Sequence, residues 1–162
     1  MALFAQGLFI QDEWSRLDDN GAPRSFALMS LPQWRARAVE FVGLPVGLLL
    51  EPGVRVEDIG ALERFNLIAL DFPKYTDGRA FSMARQLRAL GFKGEIRAVG
   101  NVLFDQLQLM TRCGFDSFEI THDATLRLLE SGRRPDIATF YQPGLGAEAP
   151  AGTRPWIRKH AG

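Results

Sequence analysis

The fold is decided by residues 67–120, which read LIALDFPKYTDGRAFSMARQLRALGFKGEIRAVGNVLFDQLQLMTRCGFDSFEI. This stretch alternates short apolar runs with longer segments of helical periodicity. The apolar runs lie at 67–71, 95–99 and 117–120, and the helical segments at 79–90 and 102–113. Short runs that are apolar on both faces are typical of strands buried in a parallel sheet. The alternation therefore predicts successive βα units.

Two of the predicted helices end in the same way. Gly91 and Gly114 each follow the last helical turn, and a phenylalanine follows each glycine. A glycine in the left-handed conformation followed by an apolar contact is a common way to end a helix. Because each glycine is followed within a few residues by an apolar run, the pattern indicates a repeated βα unit.

The same pattern continues on both sides of this stretch. An apolar run at 46–50 and a helical pattern at 55–64 precede it, and a helical pattern at 123–131 follows it. The chain is therefore predicted to be an α/β protein with about four parallel βα units. An open sheet and a half-barrel both fit, because the pattern does not reveal the order of the strands.

The N-terminal region predicts a strand, a turn, a second strand and a helix, and thus a short β-hairpin before the parallel units. The elements are an apolar run at 7–10, a turn at 18–21 and a second run at 25–29. Ser30 and Gln33 have the spacing of a capping box, which predicts a helix from there to about Phe41.

The C-terminal residues differ in composition from the rest of the chain. Segment 143–162 is rich in glycine, proline and alanine, a composition that does not build a core. We therefore expect a single α/β domain over residues 1–142, followed by a flexible tail over 143–162.

The composition excludes several classes of function. The chain has 162 residues, and its 19 basic and 19 acidic side chains cancel, which disfavours binding to nucleic acid. One cysteine and two histidines provide no set of metal, cluster or haem ligands, so no metal and no cofactor of its own are expected. There is no secretory signal and no apolar run near 20 residues, which predicts a cytoplasmic protein that does not cross a membrane.

Polar side chains are concentrated where the second predicted parallel strand meets its helix. Asp71, Lys74, Asp77 and Arg79 lie within nine residues. Either Thr76 or Asp77 is expected to cap the helix. A cation in the first helical turn opposes the helix dipole, so Arg79 needs Asp77, Asp71 or an external anion as its partner. An internal Asp–Arg pair and a ligand or partner site are both consistent with this pattern.

A second polar group surrounds the next strand. Arg97 lies inside that strand, where a charge requires a partner, and Asp71 or Asp105 could provide it. Asn101 follows the strand and is a suitable cap for the helix after it. The group is interpreted either as an ion-pair network that braces the sheet or as a functional site.

The ends of parallel strands share one edge of a sheet, and ligands bind there in α/β proteins. We therefore expect the two groups to converge at the C-terminal edge of the sheet, as a brace or as an anion cradle. The residues concerned are Asp71, Lys74, Asp77, Arg79, Arg97, Asn101 and Asp105.

A set of residues centred on segment 68–79 carries a resemblance to a known family. Besides that segment, IALDFPKYTDGR, the set comprises Ser82, 84–85, 87–88, 94–95, 97–100, 105–106 and 112–116, with QDEW at 11–14 and LPQW at 31–34. With these residues the chain resembles the bacterial family called domain of unknown function 934, over roughly residues 7–120. The resemblance implies a place in sulfur assimilation, because members are commonly encoded beside sulfite reductase genes. It implies no catalytic residues, because no activity is assigned to the family.

Members of this family are often labelled oxidoreductases, but the sequence provides no redox cofactor motif. Segment 144–149 formally matches G-x-G-x-x-A, yet it follows a proline rather than a strand and is rejected as a dinucleotide site. Electron transfer would require a borrowed flavin or a cofactor held by a partner.

Three functions therefore remain open. The favoured one is an accessory protein of assimilatory sulfite reduction, which binds the reductase or its electron donor. The second is an enzyme that binds a small anionic sulfur compound at the C-terminal ends of the strands. The third is a structural or regulatory module.

Overall fold

The computed structural model describes residues 2–134. The strands are β1 (Ala2–Ala5), β2 (Leu8–Ile10), β3 (Ser15–Arg16), β4 (Ala27–Ser30), β5 (Val46–Leu50), β6 (Leu67–Phe72), β7 (Glu95–Gly100) and β8 (Ser117–Ile120). The helices are α1 (Leu31–Arg37), α2 (Arg79–Ala89), α3 (Leu107–Cys113) and α4 (Asp123–Glu130). The predicted boundary at residue 142 and the predicted tail lie outside the described residues.

The strands form one open, curled sheet, a half-barrel, in the order β2-β1-β8-β7-β6-β5-β4-β3. The six strands from β3 to β8 run parallel to one another, and β1 is antiparallel to both β8 and β2. The predicted α/β fold with parallel units is therefore confirmed, and of the two arrangements left open the half-barrel is observed.

The N-terminal hairpin forms from different strands than the apolar runs suggested. β1 and β2 pair around Gln6 and Gly7, both of which have positive φ angles. The second apolar run, which overlaps β4, does not pair with β2. It instead joins the parallel part of the sheet between β3 and β5.

The helix that was predicted between β5 and β6 does not form. Segment 55–64 contains two 3₁₀ turns, Val56–Asp58 and Leu62–Arg64, rather than one α-helix. Gly60 lies between them with φ +86°, a conformation that interrupts a right-handed helix. After β7 the helical segment begins later than the predicted residue 102, with a 3₁₀ turn at Phe104–Gln106 before α3.

The predicted helix ends are confirmed. Gly91 and Gly114 have φ angles of +86° and +106°. The amide of Phe92 donates to the carbonyl of Leu87 at 3.0 Å, and the amide of Phe115 donates to a carbonyl of the preceding helix at 3.2 Å. These bonds satisfy carbonyls that the helix leaves unpaired, and they return the chain towards the sheet.

The two faces of the sheet are covered by different parts of the chain. The face covered by the helices packs against their buried side chains in the large core cluster. The opposite face carries a smaller cluster formed by Leu28, Leu67, Ala69 and Val99, and Trp14 packs against it. We call this second side the helix-free face, and the segment that follows β2 runs along it.

No helix within residues 2–134 is long and apolar enough to cross a membrane.

Candidate functional site

The loops that follow β6 and β7 meet at the C-terminal edge of the sheet. The amide of Asn101 donates to the carbonyl of Phe72 at 2.8 Å. The Gln106 Nε2 amide donates to the carbonyl of Tyr75 at 2.7 Å. We call the loops after β5, β6 and β7, residues 51–55, 73–78 and 101–103, the rim.

Asp77 and Arg79 form a bidentate ion pair at the start of α2. Asp77 Oδ1 accepts from Arg79 Nε at 3.0 Å, and Asp77 Oδ2 accepts from Arg79 Nη2 at 2.6 Å. Asp77 also accepts from the backbone amide of Arg79 at 3.1 Å, although Gly78 occupies the position before the helix. The side-chain bonds from Arg79 lower the pKa of Asp77 to about 2. Asp77 therefore provides the acidic partner that Arg79 needs in the first turn of α2.

Asp71 lies at the end of β6 on the helix-free side of its strand. Its neighbours Leu70 and Phe72 both point into the large core, so alternation directs Asp71 the other way. Burial raises the pKa of the Asp71 carboxyl, and Glu51 raises it further, while Arg16 and the Phe72 amide act in the opposite direction. The charged form of Asp71 is thus less favoured than that of an ordinary aspartate.

Position 100 requires glycine, because its backbone lies against Asp71 and Phe72. Its φ is +89°, and a Cβ atom there would lie 2.6 Å from Asp71 Oδ1 and 2.7 Å from the carbonyl oxygen of Phe72. Both distances are far below van der Waals contact. A larger residue would therefore displace the carboxylate or open the end of β7.

The remaining predicted rim residues lie in or next to the same loops. Lys74 is exposed, Asn101 is half-buried directly after β7, and Asp105 is exposed in the following 3₁₀ turn. Asn101 does not cap a helix as predicted, because helical structure begins only at Phe104.

Arg97 does not join this group. The prediction that all seven residues converge at the C-terminal edge of the sheet is therefore wrong for Arg97. Its side chain is only 2% exposed and aligns with Ala69 of the neighbouring strand on the helix-free face. Arg97 Nη1 donates to Asp12 Oδ2 at 2.8 Å and Nε to Glu95 Oε1 at 3.0 Å. The prediction that Asp71 or Asp105 neutralises Arg97 is therefore wrong.

The Arg97 network joins the N-terminal segment to the sheet. The Ser117 hydroxyl also contacts Glu95 Oε1, at 2.5 Å, and the amide of Trp14 donates to Asp12 Oδ1 at 3.0 Å. Glu95 could have been found from the sequence, because it lies two residues before Arg97 and shares its face. Asp12 gives no such local signal, because it lies 85 residues away in the chain.

A cavity of about 420 Å³ opens between the loop after β5, the ends of β5 and β6, and the first turns of α2. We call it the rim pocket. Its buried apolar residues are Leu50, Val56, Leu70, Ala80 and Met83. The charged residues that line it are Glu51, Arg55, Glu57, Asp71 and Arg79. Sequence reasoning missed this pocket, because it depends on how the loop after β5 packs against α2.

Both arginines of the rim pocket already have acidic partners. Arg55 pairs with Glu57 at 3.4 Å, and Arg79 pairs with Asp77. Arg79 also lies against the loop after β5, where a Cβ on Gly53 would be 3.5 Å from Nη1. The charge of each guanidinium is therefore already balanced by a carboxylate. Within residues 2–134 no group of three or more His, Cys, Asp or Glu is placed to hold a metal ion.

The sequence profile of a family described as bacterial protein of unknown function (DUF934) matches residues 47–152. The chain belongs to the DUF934 family. No curated protein matches it significantly by sequence.

The DUF934 match includes the whole rim and the whole lining of the rim pocket. Arg97 and Glu95 also lie within it, whereas Asp12 and Trp14 precede its first residue. The match extends to residue 152, into the segment interpreted as a tail. The rim therefore lies entirely within the part of the chain that matches DUF934.

Proposed function

We propose that this protein is a cytoplasmic accessory protein of assimilatory sulfite reduction, which binds the sulfite reductase or its electron donor through the rim. The observation that carries the proposal is the surface at the end of β6. Tyr75 is 52% exposed there, beside the exposed Lys74, in the loop that leads from β6 to α2, whose first turns line the rim pocket. An exposed tyrosine and a depression with an apolar floor on one edge of a sheet are both features that favour protein interfaces.

The charges of the rim favour a protein partner over a small inorganic anion. Arg79 and Arg55 are each paired with a carboxylate, so a sulfite or sulfate ion would meet guanidinium groups whose charge is already balanced. A protein surface gains affinity from apolar and aromatic contacts and needs no unpaired guanidinium.

The membership of DUF934 supports the choice of partner. The resemblance described above places such proteins beside sulfite reductase genes, and it associates them with the oxidoreductase label. We propose that this label reflects electron transfer carried out by a partner's cofactor. The chain itself would then contribute docking or orientation rather than redox chemistry.

A binding measurement tests this proposal. The full chain is titrated with purified sulfite reductase, and separately with its electron donor, from the same bacterium. Tyr75→Ala is expected to weaken the binding roughly tenfold or more, the scale of a central aromatic contact. Leu90→Ala is the matched control, because Leu90 is 64% exposed but ends α2 at the opposite edge of the sheet. Binding of neither partner by the wild-type chain would overturn the proposal.

Growth of a deletion strain provides the second test. The strain should grow normally on sulfide and poorly on sulfate and sulfite as sole sulfur sources, because only sulfide bypasses the reductase. Equal growth on all three sources would contradict an accessory role and would favour a structural or regulatory module.

One observation favours the second candidate, an enzyme that acts on a small anionic sulfur compound. Asp71 is a strand-end carboxylate beside a cavity, and its raised pKa is a property of acid–base residues. This function requires that sulfite or thiosulfate binds the isolated protein, and that Asp71→Asn abolishes turnover without abolishing binding. The absence of measurable binding of either anion would exclude it.

A further inference from the structure

We infer that the rim pocket binds an apolar side chain of a partner protein that is accompanied by a basic group. This inference rests on the proposed function in taking the occupant to be a protein segment. It adds the chemistry of the residues that this segment must present.

The floor of the rim pocket is apolar. Leu50, Val56, Leu70 and Met83 line it, and each is at most 9% exposed. A cavity of about 420 Å³ lies within the range of small-molecule pockets and has room for an aromatic or long aliphatic group. Burial of such a group removes apolar surface from water on both partners, which favours binding.

The mouth of the rim pocket has more negative than positive charge. The carboxylates of Glu51 and Glu57 and two guanidinium groups line the cavity together with the strand end at Asp71. Asp77, just outside the cavity, pairs with Arg79. Arg55 pairs with Glu57, and Arg16 offsets part of the charge of Asp71. Glu51 is then an exposed carboxylate for which residues 2–134 provide no ion pair, so a cationic group of the ligand would meet it.

The two features select a class of ligand. An apolar group alone would occupy the cavity and contact its apolar floor, but it would leave Glu51 without an ion-pair partner. A small anion would meet carboxylates at the mouth and an apolar floor below them. An apolar group attached to an amine or guanidine matches both, as in a segment that places Phe, Leu or Met beside Lys or Arg.

Matched probes test this chemistry directly. Isotope-labelled protein is titrated with 3-phenylpropylamine, 3-phenylpropanol and 3-phenylpropionate, and the amide signals of Gly53, Ala80 and Ser82 are followed by NMR. The three probes share one apolar body and differ in charge. The amine is expected to shift these signals and saturate, and to bind at least tenfold more tightly than the acid. Tighter binding of the acid, or no saturable binding of any probe, would overturn the inference.

Two variants locate the site. Ser82→Trp places a large ring at the exposed edge of the cavity and should abolish binding of the amine. Glu51→Gln should reduce the preference for the amine over the alcohol, whereas Glu63→Gln at the opposite edge of the sheet should leave it unchanged. An unchanged preference in Glu51→Gln would contradict the assigned charge contact.

The same variants separate this inference from the proposed function. If Tyr75→Ala weakens binding of the reductase or donor while Ser82→Trp does not, the pocket is not the anchor and the accessory role stands. If the amine binds the pocket but neither protein binds the chain, the proposed function fails and the pocket chemistry stands.

Discussion

Two arginines that the sequence assigns to one site should respond very differently to the same substitution. Arg97 is 2% exposed and joined to Asp12 and Glu95, whereas Arg79 is 64% exposed and joined only to Asp77. Arg97→Ala leaves two partly buried carboxylates without their cation. Arg79→Ala leaves one carboxylate at the surface, where water replaces the lost partner.

The magnitude follows from burial. Removing one partner of a buried ion pair costs about 3–5 kcal/mol, and the carboxylates that Arg97→Ala leaves behind, 25% and 31% exposed, stay charged and mostly shielded from water. For a domain of this size, each 1 kcal/mol corresponds to a shift in Tm of roughly 2–4 °C. Arg97→Ala should therefore lower the Tm by roughly 6–20 °C. Arg79→Ala should leave it close to the wild-type value, because exposed ion pairs contribute little.

The assay is thermal unfolding and urea unfolding followed by circular dichroism, with hydrogen exchange as the local readout. In Arg97→Ala the segment around Asp12 and Trp14 should exchange faster, because its anchor to the sheet is lost. The triple variant Asp12→Asn, Glu95→Gln, Arg97→Met should recover much of the stability, because it leaves no unpaired charge. Equal losses in Arg97→Ala and Arg79→Ala would refute the reasoning.

Three further predictions concern single residues. Asp71→Asn should unfold at a higher urea concentration than wild type at pH 7, because the raised pKa of Asp71 means that its charged form opposes folding. That gain should be complete above the folded-state pKa and should vanish as the pH falls below the ordinary value of 3.8; a gain that persists at lower pH would contradict this cause. Gly100→Ala should cost at least about 1–3 kcal/mol from the positive φ alone, measurable by the same urea titration, and should also shift the NMR titration of Asp71. Ser30→Ala should cost ~1 kcal/mol by removing the bond from the Gln33 amide, and an unchanged midpoint would show that the capping box is dispensable.

The strands were predictable because burial in a parallel sheet leaves a signal in each of them. The runs at 46–50 and 117–120 coincide with β5 and β8, and the other two differ by one residue at the C-terminal end. The capping box of α1 was equally readable, because both of its hydrogen bonds join residues three apart. These features depend on neighbouring residues in the chain.

The errors arose where distant residues decide the structure. β1 is ordered by its pairing with β8, which lies more than a hundred residues away, and β4 is drawn into the parallel sheet by β5. Segment 55–64 has helical periodicity, but Gly60 and the packing of the loop divide it into two 3₁₀ turns. Periodicity alone does not reveal such competition.

In the candidate site, too, the features set by neighbouring residues were predictable and those set by distant residues were not. Strand ends can be located from the sequence, and Asp71 and Asn101 lie at the ends of neighbouring parallel strands. The face that a charged residue takes within a strand, and the segment that crosses that face, decide the role of Arg97. The rim pocket depends on the position of the loop after β5 against α2, which no local pattern specifies.

Hydrogen exchange in the complex tests the central claim most directly. The full chain is compared alone and with sulfite reductase or its electron donor, and the protection of each peptide is measured. Docking through the rim predicts slower exchange in segments 51–57 and 73–79, with the N-terminal edge of the sheet unchanged. Complex formation with no added protection in these two segments, or with protection only at the opposite edge, would contradict it.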